Sequence, residues 1–522
     1  MQAPEHPAPD RADRPAEHRE GARPIRRWLA LAVLCLPLLI VSLDNTVLNV
    51  ALPTLVRKLH ASTAELQWIV DAYILVFAGL LLVGGSIADR LGRKRIFLIG
   101  LLLFGAGSTW AAFSGSVAHL IAARASMGLG GALIIPSTLA IITAIFTDAR
   151  ERQRAFGLWA ATNGAGVALG PIVGGALLAH LFWGSIFLIN VPIAIGTVFA
   201  ALRWLPESRS PEHPAPDLAG AALSISALAL LLFGIIEAPL DGWDSVLALA
   251  AICGGCALIA LFSLWERARP APMLHLELFR DRRFSIPMLS DALAMFGLYG
   301  ALFVLTQFLQ FYLGFSPLGA GLRTLPAAGA ILVASPLSAP VVRTFGTRTT
   351  VVAGLLAIAG GLYQVSGSSA TTGFAEILPG LILLGAGAGL VIPAVVGSVM
   401  GSLPEAHTGV GSATNSTFLQ VGGALGVAVI GSLLSSRFRA RLTSSPRMHE
   451  LPARLVHEAA GSLGAALRVA RQAGPAGPTL ANGARAAFIS GMDLALAAGA
   501  AVAVLAALLS ALALPNRPPR KH

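Results

Sequence analysis

The chain has 522 residues, of which 55% are hydrophobic and only 12% are charged. A soluble domain carries about twice that share of charged residues, so the composition excludes a soluble globular fold and indicates a membrane protein. The formal net charge is +11. However, the basic residues lie in short connections and tails between apolar runs, without a basic helix face or zinc-ligand spacing, so no nucleic-acid partner is expected.

The N-terminal segment, residues 1–27, is rich in Pro, Glu, His and Arg. It cannot bury enough apolar surface to fold, so we predict a disordered cytoplasmic tail. The apolar run that follows, residues 28–52, is too long for the hydrophobic part of a signal peptide and lacks a convincing cleavage site. We therefore expect it to remain as the first membrane span.

Breaks at charged and Gly/Pro-rich positions divide the rest of the chain into apolar runs of spanning length, which is about 20 residues. The predicted spans cover residues 28–52, 65–88, 95–114, 119–146, 155–179, 185–205, 218–236, 245–265, 284–313, 317–342, 349–367, 376–400, 408–435 and 486–514. This pattern predicts an all-α integral membrane protein with fourteen transmembrane helices.

The distribution of basic residues predicts the orientation of these spans. With the N-terminus inside, most of the 37 Lys and Arg residues fall on the cytoplasmic side, as the positive-inside rule requires, and the C-terminal tail, residues 515–522, is also cytoplasmic. The exception is the arginine-rich connection of residues 436–485, which is long enough to escape the rule, so it is predicted to be external. Within it, residues 451–471 form either a helix on the membrane surface or an ordinary surface helix.

The fourteen predicted spans fall into three groups, of six, two and six helices. Residues 28–205 are predicted to form an N-terminal six-helix bundle, residues 206–283 two inserted helices and a cytoplasmic linker, and residues 284–514 a C-terminal six-helix bundle. The connection Arg343–Arg348 weakly repeats Gly85–Arg95, which is consistent with internal duplication. Transporters built from such repeats bind substrate near the midplane, where the two halves meet.

Three ionisable residues within spans lie at a similar depth near the predicted external face. Asp44 lies about 16 residues, or about 24 Å, into the first span. Asp71 follows a capping box that starts at Ser62, and Arg124 enters the fourth span from the external side. Charges in a bilayer are costly unless they face a partner or a cavity. The three residues therefore form either a structural ion pair that holds three helices together or, as we favour, a site where protonation is coupled to conformation.

The ninth span carries a polar and aromatic stripe at four-residue spacing, which places its members on one helix face. Such a stripe either lines a cavity that accepts aromatic ligands or joins neighbouring helices by hydrogen bonds. The stripe consists of Asp291, Met295, Tyr299, Phe303, Gln307 and Gln310.

Several of these segments together resemble the fourteen-span drug:proton antiporters of the major facilitator superfamily, from about Trp28 to Leu514. The first-span segment Leu43–Pro53, the second-span segment Gln67–Tyr73 and the loop Gly85–Arg95 carry the resemblance. The fifth-span segment Gly166–Gly175 adds the motif associated with antiporters. One departure is Met127, which precedes Gly128 where the fourth-span pattern has a glutamine.

The resemblance implies a role for each matching position. Asp44, Arg124 and Asp71 would take part in proton coupling, and Asp71 would also attract cationic drugs. The conformational latch would comprise Gly85, Asp89, Arg90, Gly92 and Arg93. The close-packing antiporter motif would comprise Gly166, Gly170, Pro171 and Gly174. The residues expected to bind substrate are Asp71, Asp291, Tyr299, Phe303, Gln307 and Gln310.

The predicted function is a proton-coupled secondary transporter that exports lipophilic, mainly cationic, drugs or antibiotics across the cell membrane. The alternatives are a dedicated exporter of an endogenous natural product and a proton-coupled symporter. The spans carry no metal-ligand spacing, nucleophile triad or Walker motif, so we expect no enzyme, metal or cofactor, with the proton gradient as energy source. The expected partners are the bilayer, protons and small lipophilic or cationic substrates, with a single chain as the working unit.

Overall fold

A computed structural model describes residues 24–209, 216–270, 272–369, 371–403, 408–444 and 452–515. These residues are mainly helical, and no strand occurs among them. The predicted tails, residues 1–27 and 515–522, lie largely outside the described ranges. In the part of the N-terminal tail that the structure describes, the first helix already begins at Pro24, earlier than the predicted start at residue 28.

The N-terminal bundle is a run of long helices in which a short helix and a longer one together form the sixth span. Its helices are α1 (Pro24–Leu59), α2 (Thr63–Leu91), α3 (Arg93–Ala112), α4 (Val117–Ile145), α5 (Ala149–His180), α6 (Ser185–Leu188) and α7 (Asn190–Trp204). The predicted capping box at the start of α2 is present, because the Ser62 hydroxyl accepts from the Glu65 N–H and the Glu65 carboxylate accepts from the Ser62 N–H.

A hairpin of two helices follows, α8 (Leu218–Asp241) and α9 (Val246–Ala268), and a short 3-10 helix, Leu276–Arg280, leads into the C-terminal bundle. The remaining helices are α10 (Arg282–Gln307), α11 (Pro317–Phe345), α12 (Thr347–Ser366), α13 (Phe374–Ser402), α14 (Thr408–Thr443), α15 (Ala453–Ala460), α16 (Leu463–Gln472) and α17 (Gly477–Ala513). A π-helical turn, Phe308–Tyr312, extends α10.

The base of the inserted hairpin is held by Asp217. Its carboxylate caps α8 by accepting from the Gly220 N–H at 2.9 Å and also accepts from Trp265 Nε1 at 2.9 Å and from Arg269 at 3.2 Å. Burial raises the pKa of Asp217, but these hydrogen bonds outweigh that effect and hold the pKa below its ordinary value. The start of α8 is therefore tied to the end of α9.

The fold class agrees with the prediction, since fourteen helices in the described part of the chain are long and apolar enough to cross a membrane. The boundaries of the last connection differ. We predicted a connection of residues 436–485, but α14 continues to Thr443 and α17 begins at Gly477. Hydrophobic patterning alone ends a helix where its polar residues begin, although helices can extend beyond the apolar stretch into a water-exposed region.

The two ends of the molecule are distinguished by their connections. We call the end where α2 meets α3 the loop face, and the opposite end, where α15 and α16 lie, the cap face. The cap, residues Ala453–Gln472, packs on the neighbouring ends of α1 and α2. Both the N–H and the hydroxyl of Thr63 donate to the Gly461 carbonyl at 3.0 Å, and Arg468 donates to the Val56 carbonyl at 3.0 Å.

The two bundles meet where α2 lies against α14 and α5 lies against α11. Near the cap face, Gln67 of α2 donates to the carbonyls of Val427 and Ala428 on α14 at 3.1 and 2.7 Å. Gln310 donates to the Val50 carbonyl of α1 at 2.7 Å. Side-chain amides therefore join the bundles at this end of the molecule.

Candidate functional site

The central feature of the N-terminal bundle is an ion pair between Asp44 on α1 and Arg124 on α4. Arg124 Nη1 donates to Asp44 Oδ2, and the side chains of Arg124 and Asp44 are only 1% and 2% exposed. Charged side chains are rarely buried to this extent unless they are paired. The structure thus brings together two of the residues that the sequence placed at one depth.

The helix α2 completes the surroundings of the guanidinium. Arg124 Nε donates to the Ile69 carbonyl at 3.2 Å, and its Cζ lies 4.4 Å from the centre of the Tyr73 ring. The Tyr73 hydroxyl is buried beside the Asn45 side chain. The arginine is therefore held by a carboxylate, a carbonyl and an aromatic face.

Asn190, the first residue of α7, is a member of this network that the sequence argument missed. Its amide nitrogen lies 3.4 Å from Asp44 Oδ1 and 3.2 Å from the Ser108 hydroxyl, and the side chain is fully buried. A lone asparagine in an apolar run was the available signal. An amide can stabilise the carboxylate whether it is ionised or protonated, because it offers both a donor and an acceptor.

Arg124, the basic member of the ion pair, borders a small cavity between the bundles. The guanidinium side contributes one wall and the C-terminal bundle contributes another through Tyr299. The cavity is lined by Asn45, Asn49, Val70, Ile74, Arg124, Tyr299 and Val427. Side chains of both chemical types, amides and apolar groups, therefore face the same space next to a buried charge.

Asp71, in contrast, takes no part in the ion pair. It is fully buried, and neither carboxylate oxygen has a hydrogen-bond partner in the described part of the chain. Because Gln67 lies one helical turn earlier on the same side of α2, Asp71 points towards the contact with α14. The structure thus separates it from Asp44 and Arg124, although all three lie at a similar depth.

The stripe on α10 has two kinds of surroundings. Tyr299 lines the cavity, whereas Gln310 binds the Val50 carbonyl and Gln307 donates to the Phe303 carbonyl of its own helix at 3.3 Å. Phe303 is fully buried. Tyr299 therefore corresponds to the cavity-lining alternative, and Gln310 to the alternative in which the stripe joins neighbouring helices.

Asp291, at the loop-face end of the stripe, is buried where α10 packs against α14. Its side chain is fully buried, and neither oxygen has a hydrogen-bond partner among the described residues. Asn415 of α14 lies close to its carboxyl group. Asp291 does not border the cavity that contains Tyr299.

The loop between α2 and α3 is held by charges within the N-terminal bundle. Asp89 binds Arg93 Nε at 2.7 Å, and Arg93 also donates to the Ala140 carbonyl at 3.3 Å. Gly92 has a φ of 112°, a backbone conformation that favours glycine. Gly85 lies against Pro136 of α4, and Arg90 is exposed. Asp89, Arg90, Gly92 and Arg93 therefore lie together at the junction of α2 and α3, whereas Gly85 lies about two helical turns earlier on α2.

The glycine motif of α5 faces α1. A side chain at Gly166 would lie 2.7 Å from Ser42 Cβ, and one at Gly174 would lie 2.9 Å from Val47 Cγ1. Gly170 lies against Thr46, and the carbonyl of Pro171 lies against Gly321 of α11. The motif therefore lets α5 approach a helix of each bundle more closely than side chains would permit.

Comparison with known proteins decides the family. A profile described as Major Facilitator Superfamily matches residues 34–427. The chain belongs to the major facilitator superfamily. Among solved structures, a bacterial homologue of the human lysosomal transporter Spinster, in an inward-facing and unoccupied conformation, matches with a TM-score of 0.64 and 18% identity over 94% of this chain and 98% of that one. At this identity the likeness shows the fold alone.

Similar members of the superfamily are named as efflux and resistance proteins. The chain is 39% identical to the multidrug efflux pump LfrA of Mycolicibacterium smegmatis, over 93% of this chain and 94% of that protein. It is 33% identical to the tetracenomycin C resistance and export protein of Streptomyces glaucescens, over 93% and 91%. It is 34% identical to the methyl viologen resistance protein SmvA of Salmonella typhimurium, over 92% and 97%.

Proposed function

We propose that this chain is a drug:proton antiporter of the cell membrane that exports lipophilic and cationic compounds. The observation that carries this proposal is the buried ion pair of Asp44 and Arg124, whose arginine lines a cavity between the two bundles. A structural brace would gain nothing from facing a cavity. A group that binds and releases protons, however, needs access to water at some stage of the cycle.

Protonation of Asp44 would change how the helices hold one another. The neutral acid no longer attracts Arg124, so the guanidinium is left to the Ile69 carbonyl and the Tyr73 ring. Because an unpaired buried cation is costly, Arg124 then turns towards water or towards cargo in the cavity. The amide of Asn190 remains beside Asp44 in either protonation state.

The proposal assigns the loop face to the cytoplasm and the cap face to the exterior. The basic residues of the loop, including Arg90 and Arg93, favour the inside of the membrane. Asp44 then lies in the outer half of α1, where protons enter from outside. Both chain termini are cytoplasmic in this orientation, and a single chain encloses the pathway.

The cargo is proposed from the cavity and from the relatives. Amides, an aromatic ring and apolar side chains line the cavity, which suits lipophilic molecules that carry a few polar groups. Methyl viologen, named for one relative, is a small organic cation, so cationic cargo is expected. We assign cargo contacts to Tyr299 and Asp71, and to the remaining stripe residues Asp291, Phe303, Gln307 and Gln310 as the bundles move apart.

The junction of α2 and α3 is proposed to be a conformational latch. The ion pair between Asp89 and Arg93 fixes the end of α2 relative to α3 and α4. When the bundles rock, this junction moves as one unit, so a movement of α2 also moves α3 and α4. Arg90 and the turn at Gly92 complete the latch, and Gly85 faces Pro136 of α4.

The direction of coupling is tested with inverted membrane vesicles that have an acidic interior. Adding substrate to an antiporter moves protons out of the vesicles, so the pH gradient falls. Vesicles that contain Asp44→Asn and vesicles without the protein serve as controls. A gradient that collapses equally in all three preparations, or does not change in any, would overturn the proposal.

Dedicated export of a natural product is a second candidate function, because one relative is named as the tetracenomycin C resistance and export protein. The two functions differ in cargo range. A susceptibility panel of chemically diverse drugs separates them, since a multidrug exporter protects against several unrelated classes and a dedicated exporter protects against one.

A further inference from the structure

Asp291 on α10 is a buried acid that the Asp44–Arg124 site does not use. Its side chain is fully buried, and Asn415 of α14 lies beside its carboxyl group. No described residue donates a hydrogen bond of ordinary geometry to either carboxyl oxygen, and Asn415 Oδ1 is likewise buried without a donor. Two buried side chains on neighbouring helices therefore face each other with unused hydrogen-bonding capacity.

The helices packed against α10 have long stretches that carry no charged residue in sequence. No Lys, Arg, His, Asp or Glu occurs in residues 28–43 of α1, 349–366 of α12, 377–402 of α13, 408–436 of α14 or 494–513 of α17. The titratable side chains in these stretches are Cys35, which lies beside Thr162 of α5, and Tyr363, which is 72% exposed. Neither of them supplies a positive charge to Asp291.

The charges nearest to Asp291 along the chain lie at the loop face. Arg282 and Arg283 begin α10, about 12 Å or more from Asp291 along the helix axis, and Glu277 and Arg280 lie on the 3-10 helix before it. Arg282 is exposed. An ionised Asp291 would therefore be a buried charge without a counter-ion among the described residues, which is costly.

A single bound proton removes this cost. Protonated Asp291 is neutral, its hydroxyl can donate to Asn415 Oδ1, and its carbonyl oxygen can accept from Asn415 Nδ2. The ionised acid can only accept, so it leaves the amide oxygen without a donor. A metal cation is a poorer match, because hard cations take about six oxygen ligands and these two side chains supply fewer.

The pair lies at the start of a closely packed seam between α10 and α14. A side chain at Gly422 would overlap the carbonyl of Ala292, the residue after the acid. Further along the seam, Tyr299 lies against Gly423 and lines the cavity beside the guanidinium. On its other side, α14 accepts the amide of Gln67 from α2. One helix therefore connects the acid–amide pair with the cavity wall and with the contact between the bundles.

We infer that Asp291 and Asn415 form a second proton-binding site, in the C-terminal bundle, where the acid holds a proton while α10 and α14 are packed together. When α14 moves away from α10, the O–H bond of the acid breaks, the proton passes to water on the nearer, loop-face side, and the carboxylate stays on α10. The cargo contact proposed for Asp291 then requires the ionised form, which exists once the proton has left. This inference deepens the proposed function, on which it rests, by adding a second proton to the one exchanged at Asp44.

The test is infrared spectroscopy of the full chain in lipid, without cargo and without a pH gradient. Exposed carboxyl groups are ionised at about pH 7, so an absorption band of a protonated carboxyl group at that pH comes from buried acids. Asp291→Asn keeps the size of the side chain and can still pair with Asn415, and it should remove one such band. Asn415→Leu should keep the band but move it to higher frequency, because the carbonyl oxygen of the acid loses its N–H donor.

Glu376→Gln is the matched control, since Glu376 is an exposed acid in the first turn of α13. It should leave the band unchanged. Identical spectra of the native chain and Asp291→Asn in this region would overturn the site, as would a band that Asn415→Leu does not move. A band that disappears when sodium replaces choline in the buffer would assign the site to Na⁺ and overturn the assignment to a proton.

The role of this proton in export is tested in proteoliposomes by measuring proton and cargo movement together for a neutral cargo. Asp291→Asn should lower the ratio of protons to cargo by about half, because one of two exchangeable protons is lost. An unchanged ratio would overturn the role in export. If the variant does not transport, the infrared result alone decides the site. Because that result needs no transport, a failure of proton-driven export by the native chain leaves it intact, and the reverse also holds.

Discussion

Asn190 and Arg124 bind the two different oxygens of the Asp44 carboxylate, the amide at Oδ1 and the guanidinium at Oδ2. One partner carries a charge and the other does not. Protonation of Asp44 therefore removes the attraction on one side while a hydrogen bond on the other side can persist. This asymmetry distinguishes the site from a plain ion pair, in which loss of the charge leaves the carboxyl group without a fixed position.

Asp44→Asn is expected to stop the export of every cargo. The amide cannot release a proton, and it leaves Arg124 without its counter-ion, so transport driven by a pH gradient should fall by tenfold or more. The measurement is drug efflux from whole cells together with the vesicle pH assay. Protein level and thermal unfolding must be recorded alongside, because breaking a buried pair destabilises a protein by about 3–5 kcal/mol.

The double variant, Asp44→Asn with Arg124→Gln, separates coupling from stability. It removes both charges, so the cost of an uncompensated charge disappears and thermal stability should return towards the native value. Proton-coupled export should remain absent. If the double variant regains export together with its stability, the pair is a structural brace and the coupling role is wrong.

Asp71→Asn is expected to impair the export of cations selectively. The change keeps the size of the side chain and removes only the charge, so cationic cargo should lose about tenfold in transport efficiency while neutral cargo is exported normally. Competing efflux of a cationic and a neutral drug from the same cells measures the ratio. An equal loss for both drugs would place Asp71 in proton coupling and not in cargo selection.

Gly170→Ala is expected to reduce both stability and transport. The added methyl group would overlap the Thr46 hydroxyl and would lie 2.9 Å from Thr46 Cβ, so α5 and α1 must move apart. Overpacking of this kind costs about 1–3 kcal/mol. Gly164→Ala is the matched control on the same helix, because nothing lies within 4 Å of a side chain placed there. Gly170→Ala should therefore unfold at a lower temperature and export less drug than Gly164→Ala. Similar values for the two variants would argue against close packing at the motif.

The sequence predicted the long helices and the depth of each buried charge, because both follow from position along a single helix. The side-chain pairings depended on rotation about the helix axis and on which helices become neighbours. Asp44 and Asp71 lie at a similar depth, yet only Asp44 meets Arg124, since Asp71 points towards α14. Depth alone could not distinguish these two acids.

Asn190 was missed for a related reason. Nothing in its local sequence relates it to Asp44, which lies on α1, far away in the chain. The cap shows the same limit. The pattern of residues 451–471 predicted one helix, whereas the structure has two, α15 and α16, and the pattern did not predict that the Gly461 carbonyl accepts from Thr63. Contacts between distant segments require the tertiary structure.

The cap is expected to restrain opening of the molecule at its own end. It continues from the C-terminal bundle, between α14 and α17, and binds the N-terminal bundle through Thr63 and Gly461. If the bundles rock apart there during export, a covalent link at this contact should stop transport. Thr63→Cys combined with Gly461→Cys should lose at least tenfold in efflux after oxidation and regain it after reduction, because neighbouring backbones at hydrogen-bond distance lie within disulfide reach. Each single cysteine variant is the control. Native efflux by a fully oxidised double variant would mean that the cap stays on the N-terminal bundle throughout the cycle and that opening occurs elsewhere.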